Sequence, residues 1–429
     1  MEWDEVNGMQ LKVLKGMKDV LPVESALWRA LEREMRDAAR INGYHEIRTP
    51  VVEHTELFAR SAGQSSDVVR KEMYTFEDKG GRSVTLKPES TAGVVRAFLE
   101  SGLYAQTLPL KLYYLNAPHF RYEAPQSGRL REHHQFGMEC FGASQPSADA
   151  ELIVLVLQLL ERFGLGNLSV RVNSIGCPHC RPAYQQAFQA YLNARRDRLC
   201  RACQERADIN PMRALDCKEL GCQRELADAP VMLEYLCDDC RAHFERLKAY
   251  LDAVGAPYAV DARIVRGLDY YTKTVFEFVT GTPTGELTVC GGGRYDGLVE
   301  ELGGPAIPAV GFGMGIERVL MLLQAQGSGK LTVEDERPQV FVACLGDASL
   351  EAFSLLQALR AAGIRADMDH QGRSLKAQFK YADKLGTALV AIVGGDELAR
   401  GTVKVRDMAS REEWELPLAE APAALLARL

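Results

Sequence analysis

Between Ile264 and Phe278 the chain reads IVRGLDYYTKTVFEF, and this stretch restricts the fold and its use more than any other. Arg266, a carboxylate and the adjacent Tyr270 and Tyr271 surround the turn-forming Gly267, and an alternating strand follows. An arginine, a carboxylate and two phenols so close together make a poor core. They make a good polar pocket for a small zwitterion and a phosphate. An amphipathic edge strand with a polar start is the plainer reading of this segment alone. It weakens once other segments supply matching parts.

Two such segments stand out. From Leu110 to Gly142 the runs LKLYYLNAPHFRYE and HHQFGMECFG flank the polar loop APQSGRLRE, a strand–loop–strand hairpin. Arg121 ends the first strand, and Arg129 and Arg131 sit in the loop. Gln135 and Glu139 are evenly spaced on the returning strand and share one face. A solvated antiparallel face is the simpler alternative. The second segment, GFGMGIERVLML, places glycines before a helix and Arg318 in its first turn. Glycines admit a ligand close to the backbone, helix starts favour anions, and a guanidinium binds phosphate in bidentate fashion.

At 429 residues the chain predicts two or three domains, each able to bury a core. The N-terminal MEWDEVNG is acidic and lacks an apolar run, so it predicts no secretory signal. Apolar runs such as Leu152 to Leu157 fall short of a membrane span, and a cytoplasmic protein is expected. A formal charge of −7 argues against a protein that coats nucleic acid, though not against a selective RNA enzyme with local basic patches.

Along the chain, ESALWRALEREMRDAARINGY predicts an amphipathic helix on Leu27, Leu31 and Met35 that ends at Gly43. HEIRTPVVE reads as a strand interrupted by Pro50, suited to a sheet edge or dimer interface. Residues 177–254 are helix-rich, charged and dense in cysteine, an insertion into the sheet. A polar linker, 326–336, precedes alternating strands and helices over 337–429, a separate α/β domain.

Taken together, these segments resemble the class II aminoacyl-tRNA synthetases, and within them the histidyl-tRNA synthetase family. KGMKDVLP and GYHEIRTP are similar to the N-terminal segment and motif 1, FRYEAPQSGRLREHHQFGMECFG to motif 2, and AVGFGMGIERVLMLL to motif 3. RGLDYYTKTVFEF resembles the histidine-specific signature, the most specific of the set. The resemblance implies an α+β fold. Its catalytic core is an antiparallel sheet over 1–325 with the 177–254 helical insertion, followed by a C-terminal α/β anticodon-binding domain. It also implies a homodimer that joins L-histidine to tRNA(His) with ATP and magnesium.

Residue roles follow from the same resemblance. Glu89 and Thr91 hold the substrate α-amino group, Gln135 orients the substrate, and Arg266 lies near its carboxylate. Glu139 and Tyr271 bind the imidazole, with Tyr270 lining the pocket. Arg121 and Arg318 take the α- and γ-phosphates of bent ATP, Arg129 assists, and Arg266 stabilises the α-phosphate, so these arginines carry catalysis. Departures from the family pattern are Ala124 for an arginine that contacts the acceptor end, His133 for the aromatic stacked on adenine, Leu130 for a tyrosine, and Lys87 with Ser90 for arginine and glycine. Arg131 is assigned to tRNA.

Eleven cysteines in a reducing compartment point to metal or to nothing rather than to disulfides. The insertion holds the pairs Cys177/Cys180, Cys200/Cys203, Cys217/Cys222 and Cys237/Cys240, whose spacing admits a structural zinc. Four cysteines make one site and eight could hold two, yet catalysis is assigned no metal ligand. In the last domain Lys376, Lys380 and Lys384 share a helical face next to Arg373, while Leu375, Phe379 and Ala382 face the sheet. A solvated lysine stripe is the commoner outcome of such spacing; the resemblance favours an RNA contact by Arg373, Lys376 and Lys380. Two rivals stand beside this reading, a non-catalytic paralogue that regulates an ATP phosphoribosyltransferase and a synthetase of prolyl or threonyl specificity. The arginines Arg121, Arg266 and Arg318 and the final domain oppose the first, and RGLDYY opposes the second.

Overall fold

The computed structural model describes residues 11–429 except 64, 65, 67, 123, 124, 126, 127, 283, 284, 328 and 329. It divides into two compact units, Met1–Val333 and Glu334–Leu429.

In the first unit, strand β1 (His45–Glu46) belongs to the main sheet, whereas β2 (Val52–His54), β3 (Tyr74–Glu77) and β4 (Ser83–Leu86) form a small sheet in the order β2-β4-β3. The main sheet continues with β5 (Leu110–Phe120), β6 (Glu132–Phe141), β7 (Ser169–Ser174), β8 (Ala259–Val260), β9 (Thr272–Thr282), β10 (Gly285–Arg294) and β11 (Ala309–Gly315). Its order is β1-β5-β6-β11-β10-β9-β7-β8. The outermost pairs, β1 with β5 and β7 with β8, are parallel, and those between are antiparallel.

HEIRTPVVE is therefore not one strand. β1 pairs with β5, while β2, beyond Pro50, pairs with β4 in the other sheet. Proline offers no ladder donor, so the chain changes sheets there.

One face of the main sheet is apolar. Phe136, Met138 and Cys140 of β6 meet Phe312 and Met314 of β11 beneath the helices Pro22–Ile41, Pro146–Arg162 and Ile316–Gln326. The first helix contributes Leu31 and Met35, as its spacing predicts, together with Trp28, while Leu27 is only partly buried; each large buried side chain there stabilises by roughly 1.5–3 kcal/mol. Because strand side chains alternate, Gln135, Gly137 and Glu139 lie on the opposite face. There the helix Thr91–Glu100 packs Val94, Val95 and Phe98 against Tyr114, Tyr270, Tyr271 and Tyr295.

Arg294, at the end of β10, is fully buried and pairs with the equally buried Asp149 of the helix Pro146–Arg162. Its remaining donors reach the carbonyls of Ala143 at 2.7 Å and Gln145 at 3.2 Å, so neither charge is left unmatched. Between β7 and β8 runs the insertion, with helices Arg181–Asn193, Arg201–Ile209 and Leu220–Glu225 around a core of their own, while the helix Asp238–Ala253 gives that core Cys240 and packs Phe244, Leu247 and Leu251 into the core of the main sheet.

The second unit is a five-stranded sheet of β12 (Val340–Cys344), β13 (Ala366–Met368), β14 (Leu389–Val393), β15 (Thr402–Asp407) and β16 (Glu413–Pro417), ordered β13-β12-β14-β15-β16. Its first three strands are parallel and its last two run antiparallel. Leu375, Phe379 and Ala382 of the helix Leu375–Leu385 pack on the sheet through Phe341, Val390 and Ile392, and Lys376, Lys380 and Lys384 are exposed. Gln378, absent from the sequence reading, is buried in that interface and exchanges hydrogen bonds of 2.9 Å with the backbone of Cys344.

Candidate active site

A cavity of about 490 Å³ opens on the polar face of the main sheet. Arg121, Arg129, His133, Gln135, Arg266 and Arg318 all line it, so six of the predicted site residues, distant in sequence, converge. Arg121 lies just beyond β5, and its Nε donates to the Pro88 carbonyl at 3.0 Å. Arg318 is in the first turn of the helix that follows β11 directly. Its Nε donates to the Gly128 carbonyl at 2.9 Å and its Nη1 to that of Thr288 at 2.5 Å. Arg266 pairs with Glu277 of β9, which also accepts from Thr288 Oγ1 at 3.4 Å. Fixed guanidinium planes beside a helix N-terminus make a cavity for polyanions.

The floor of this cavity is glycine. β11 supplies Gly313 and Gly315, and β10 supplies Gly291. A Cβ built on Gly291 would lie 2.6 Å from the Arg266 guanidinium, so a side chain there would displace that guanidinium from its present position. His133 stands on the same wall with its ring stacked near His119 at 5.5 Å between centroids. Burial, then the charges of Arg121 and Arg318, push its imidazole down to about 3, so it presents a neutral ring at neutral pH.

Farther along the same strand face lies a second, buried polar group. Glu139 accepts a 2.8 Å hydrogen bond from Thr91 Oγ1 and a 2.5 Å bond from Tyr295 Oη. It sits opposite Gly311 of β11, where a Cβ would lie 1.7 Å from Glu139 Oε2. Burial pushes its carboxyl up to about 8 despite the two hydroxyl donors. Tyr270 and Tyr271 have ring centroids 4.7 Å apart, and Tyr270 lies 5.6 Å from Tyr295. Glu89 accepts from the amides of Thr91 at 2.7 Å and Ala92 at 2.9 Å at the start of the helix Thr91–Glu100. Burial raises its carboxyl as well. Gln135, on Glu139's strand face, and Arg266, 6.0 Å from the Tyr271 ring centroid, connect this group with the open cavity.

Several assigned residues lie elsewhere. Arg131 stacks over the Tyr122 ring at 4.2 Å and packs against Gly16, and it is not among the cavity's lining residues. Arg373, Lys376 and Lys380 belong to the second unit, where Arg373 pairs with Asp369. Ala124 lies outside the described residues. The substitutions Lys87 and Ser90 are both buried, and Ser90 Oγ meets His119 Nε2 at 2.7 Å.

Sequence reasoning found the glycines of β11 but missed Tyr295, Glu277 and the part of the glycine floor that β10 supplies. The run CGGGRYDG carried the signal, since three successive glycines in a strand mark a close approach of other groups.

Comparison with known proteins gives a consistent result. Residues 16–319 match the family model for histidyl-tRNA synthetase, and residues 339–428 match that for an anticodon binding domain. The histidine–tRNA ligase of Caldanaerobacter subterraneus subsp. tengcongensis is 54% identical over 413 residues, covering 96% of this chain and 98% of that one. The histidine–tRNA ligase of Alkaliphilus oremlandii is 52% identical over 408 residues, covering 94% and 96%. Among solved structures, apo histidyl-tRNA synthetase from S. aureus superposes with a TM-score of 0.81 at 38% identity, covering 97% of this chain and 99% of that one.

Proposed function

The chain belongs to the histidyl-tRNA synthetase family and is a histidine–tRNA ligase, and we propose that the arginine-lined cavity and the buried group behind Gln135 carry its first step. With ATP and magnesium it converts L-histidine to histidyl-adenylate and pyrophosphate, then esterifies the 3′-terminal ribose of tRNA(His). The observation that carries the residue assignment is the convergence of Arg121, Arg266 and Arg318 on one cavity.

In this assignment Glu139 and Tyr271 recognise the imidazole, with Tyr270 lining the pocket. Glu89, Thr91 and Gln135 receive the ammonium, and Arg266 lies by the carboxylate. One carboxylate oxygen attacks the α-phosphorus as the bond to pyrophosphate breaks. The nucleophile is already an anion and no general base is needed, so orientation and charge stabilisation do the catalysis. Arg266 and Arg121 stabilise the α-phosphate, Arg318 the γ-phosphate, and Arg129 assists. His133, neutral, stacks on adenine. Glu277 and Glu317 are hard oxygen donors on the cavity wall and fit magnesium arriving with the phosphates. When bound, the ion neutralises charge on the phosphate chain.

The division into a catalytic core (1–325, with the 177–254 insertion), a linker (326–336) and an anticodon-binding domain (337–429) belongs to the same proposal. So do RNA contacts by Arg131, Arg373, Lys376 and Lys380. No helix among the described residues is long and apolar enough to cross a membrane, which accords with the proposed cytoplasmic location. Homodimer formation is supported by apolar side chains exposed near the first helix, Leu11, Leu14, Leu21 and Val23. The regulatory reading is opposed by the match to an anticodon-binding domain and by relatives at about half identity that are ligases.

Pyrophosphate exchange driven by each amino acid in turn tests the site. Histidine alone is expected to support it, and Arg318→Ala or Arg121→Ala to reduce kcat by about 10²–10³, the range for losing one preorganised donor. Undiminished exchange in both variants would remove the arginines from the mechanism.

A further inference from the structure

The eight insertion cysteines gather into two groups of four, and the grouping was not readable from their spacing. Cys177 and Cys180, at the end of β7, meet Cys237 and Cys240, which begin the helix Asp238–Ala253. Cys200 and Cys203, which begin the helix Arg201–Ile209, meet Cys217 and Cys222. The second group is thus nested inside the loop that the first one closes.

In each group all four sulfurs lie within 4.8 Å of one another. In the first, Cys177–Cys180 is 3.7 Å, Cys177–Cys237 is 3.8 Å and Cys180–Cys240 is 3.8 Å; in the second, Cys200–Cys217 is 3.8 Å. A tetrahedron with zinc–sulfur arms of about 2.3 Å has edges of about 3.8 Å. Disulfides require sulfurs about 2.05 Å apart, and ordinary apolar packing does not demand fourfold convergence twice. Backbone amides already point at the sulfurs, Cys177 N to Cys180 Sγ and Cys200 N to Cys222 Sγ, both at 3.1 Å.

The insertion also needs such staples. Five of the buried residues in its core are cysteines and two are alanines, leaving a small apolar volume to hold three short helices.

We propose that the insertion holds two structural zinc ions, one on Cys177, Cys180, Cys237 and Cys240 and one on Cys200, Cys203, Cys217 and Cys222. In each site Zn²⁺ binds as four thiols give up their protons to water, and the four thiolates form a tetrathiolate with no change of oxidation state. The first ion also braces the histidine pocket. Arg181, directly after Cys180, donates through Nη2 to the Tyr271 carbonyl and through Nε to the Ile175 carbonyl at 3.1 Å. Lys273 N donates to the Gly176 carbonyl at 2.8 Å, and a Cβ on Gly176 would lie 2.7 Å from Cys180 Sγ. This bracing role rests on the imidazole assignment of Tyr271; the two metal sites do not.

Full-length protein purified without chelator is the material for the test, with zinc measured by plasma mass spectrometry. Two equivalents per chain are expected, and Cys177→Ser/Cys237→Ser and Cys200→Ser/Cys217→Ser are each expected to retain one. Cobalt exchange of the wild type, which needs no variant to fold, should give the absorption bands of tetrahedral thiolate cobalt at two equivalents. One ion or none, or an intact mass showing disulfides, overturns the proposal. In histidine-dependent exchange Cys177→Ser/Cys237→Ser should raise KM about tenfold, below the roughly hundredfold cost of a 1 Å misplacement. An unchanged KM in that variant overturns the bracing role alone.

Discussion

Glu139 shows how a single side chain's setting decides its chemistry. Its carboxyl is buried, faces two hydroxyl donors and has its ordinary value raised to about 8, so it carries a proton when the pocket is empty at neutral pH. An unfolded glutamate titrates near 4.5. Between these values the folded chain holds a proton that the unfolded chain has released, so this group's contribution to stability is full below the lower value. It is lost as pH rises towards the upper one. Glu139→Gln removes the titration and keeps the shape. The melting temperature of wild type measured against that of Glu139→Gln should therefore fall from pH 5 to pH 8, and a flat difference would refute the buried proton. The same variant should lower kcat/KM for histidine by about 10²-fold, the equivalent of losing a hydrogen bond to a charged group. The glutamate itself was legible from strand alternation. Its partner Tyr295 was not, because 156 residues separate them and only the sheet order brings them together.

At the scale of elements, the polar face exists because three neighbouring strands carry glycine where side chains would fill it. Gly311 of β11 faces Glu139, and Gly291 of β10 lies beneath Arg266. Gly311→Ala would set a methyl 1.7 Å from Glu139 Oε2. The expected result is loss of histidine-dependent exchange by more than about 10²-fold, as for a 1 Å displacement of reacting groups, with the far-ultraviolet circular dichroism retained. Exchange within a few-fold of wild type would show that the floor has room to spare. Periodicity made the long helix, the motif hairpin and the strand after Tyr271 readable, since each is amphipathic over several turns or pleats. It misread HEIRTPVVE, where two- and three-residue strands are too short to show a period and belong to different sheets. It also left the cysteine grouping open, because pairing across a loop is a property of the folded insertion and not of local spacing.

For the whole molecule, the proposed roles divide the ligase reaction between the two units. The first holds every residue assigned to histidine and ATP, and the second presents Lys376, Lys380 and Lys384 on an exposed helix whose other side is fixed to its sheet. A net charge of −7 would repel RNA over most of the surface, so productive approach depends on such local patches. Reversing two of these charges, Lys376→Glu with Lys380→Glu, removes attraction without touching the helix's buried residues Gln378 and Ala382. The KM for tRNA should rise about tenfold or more and lose part of its dependence on salt, by a slope of about 1 for each phosphate contact removed. Histidine-dependent pyrophosphate exchange, which needs no RNA, should stay at the wild-type rate. A solvated lysine stripe would leave both assays unchanged, and a parallel loss in both would mean that the second unit supports the first structurally; only the split result marks this face as the place where RNA is held.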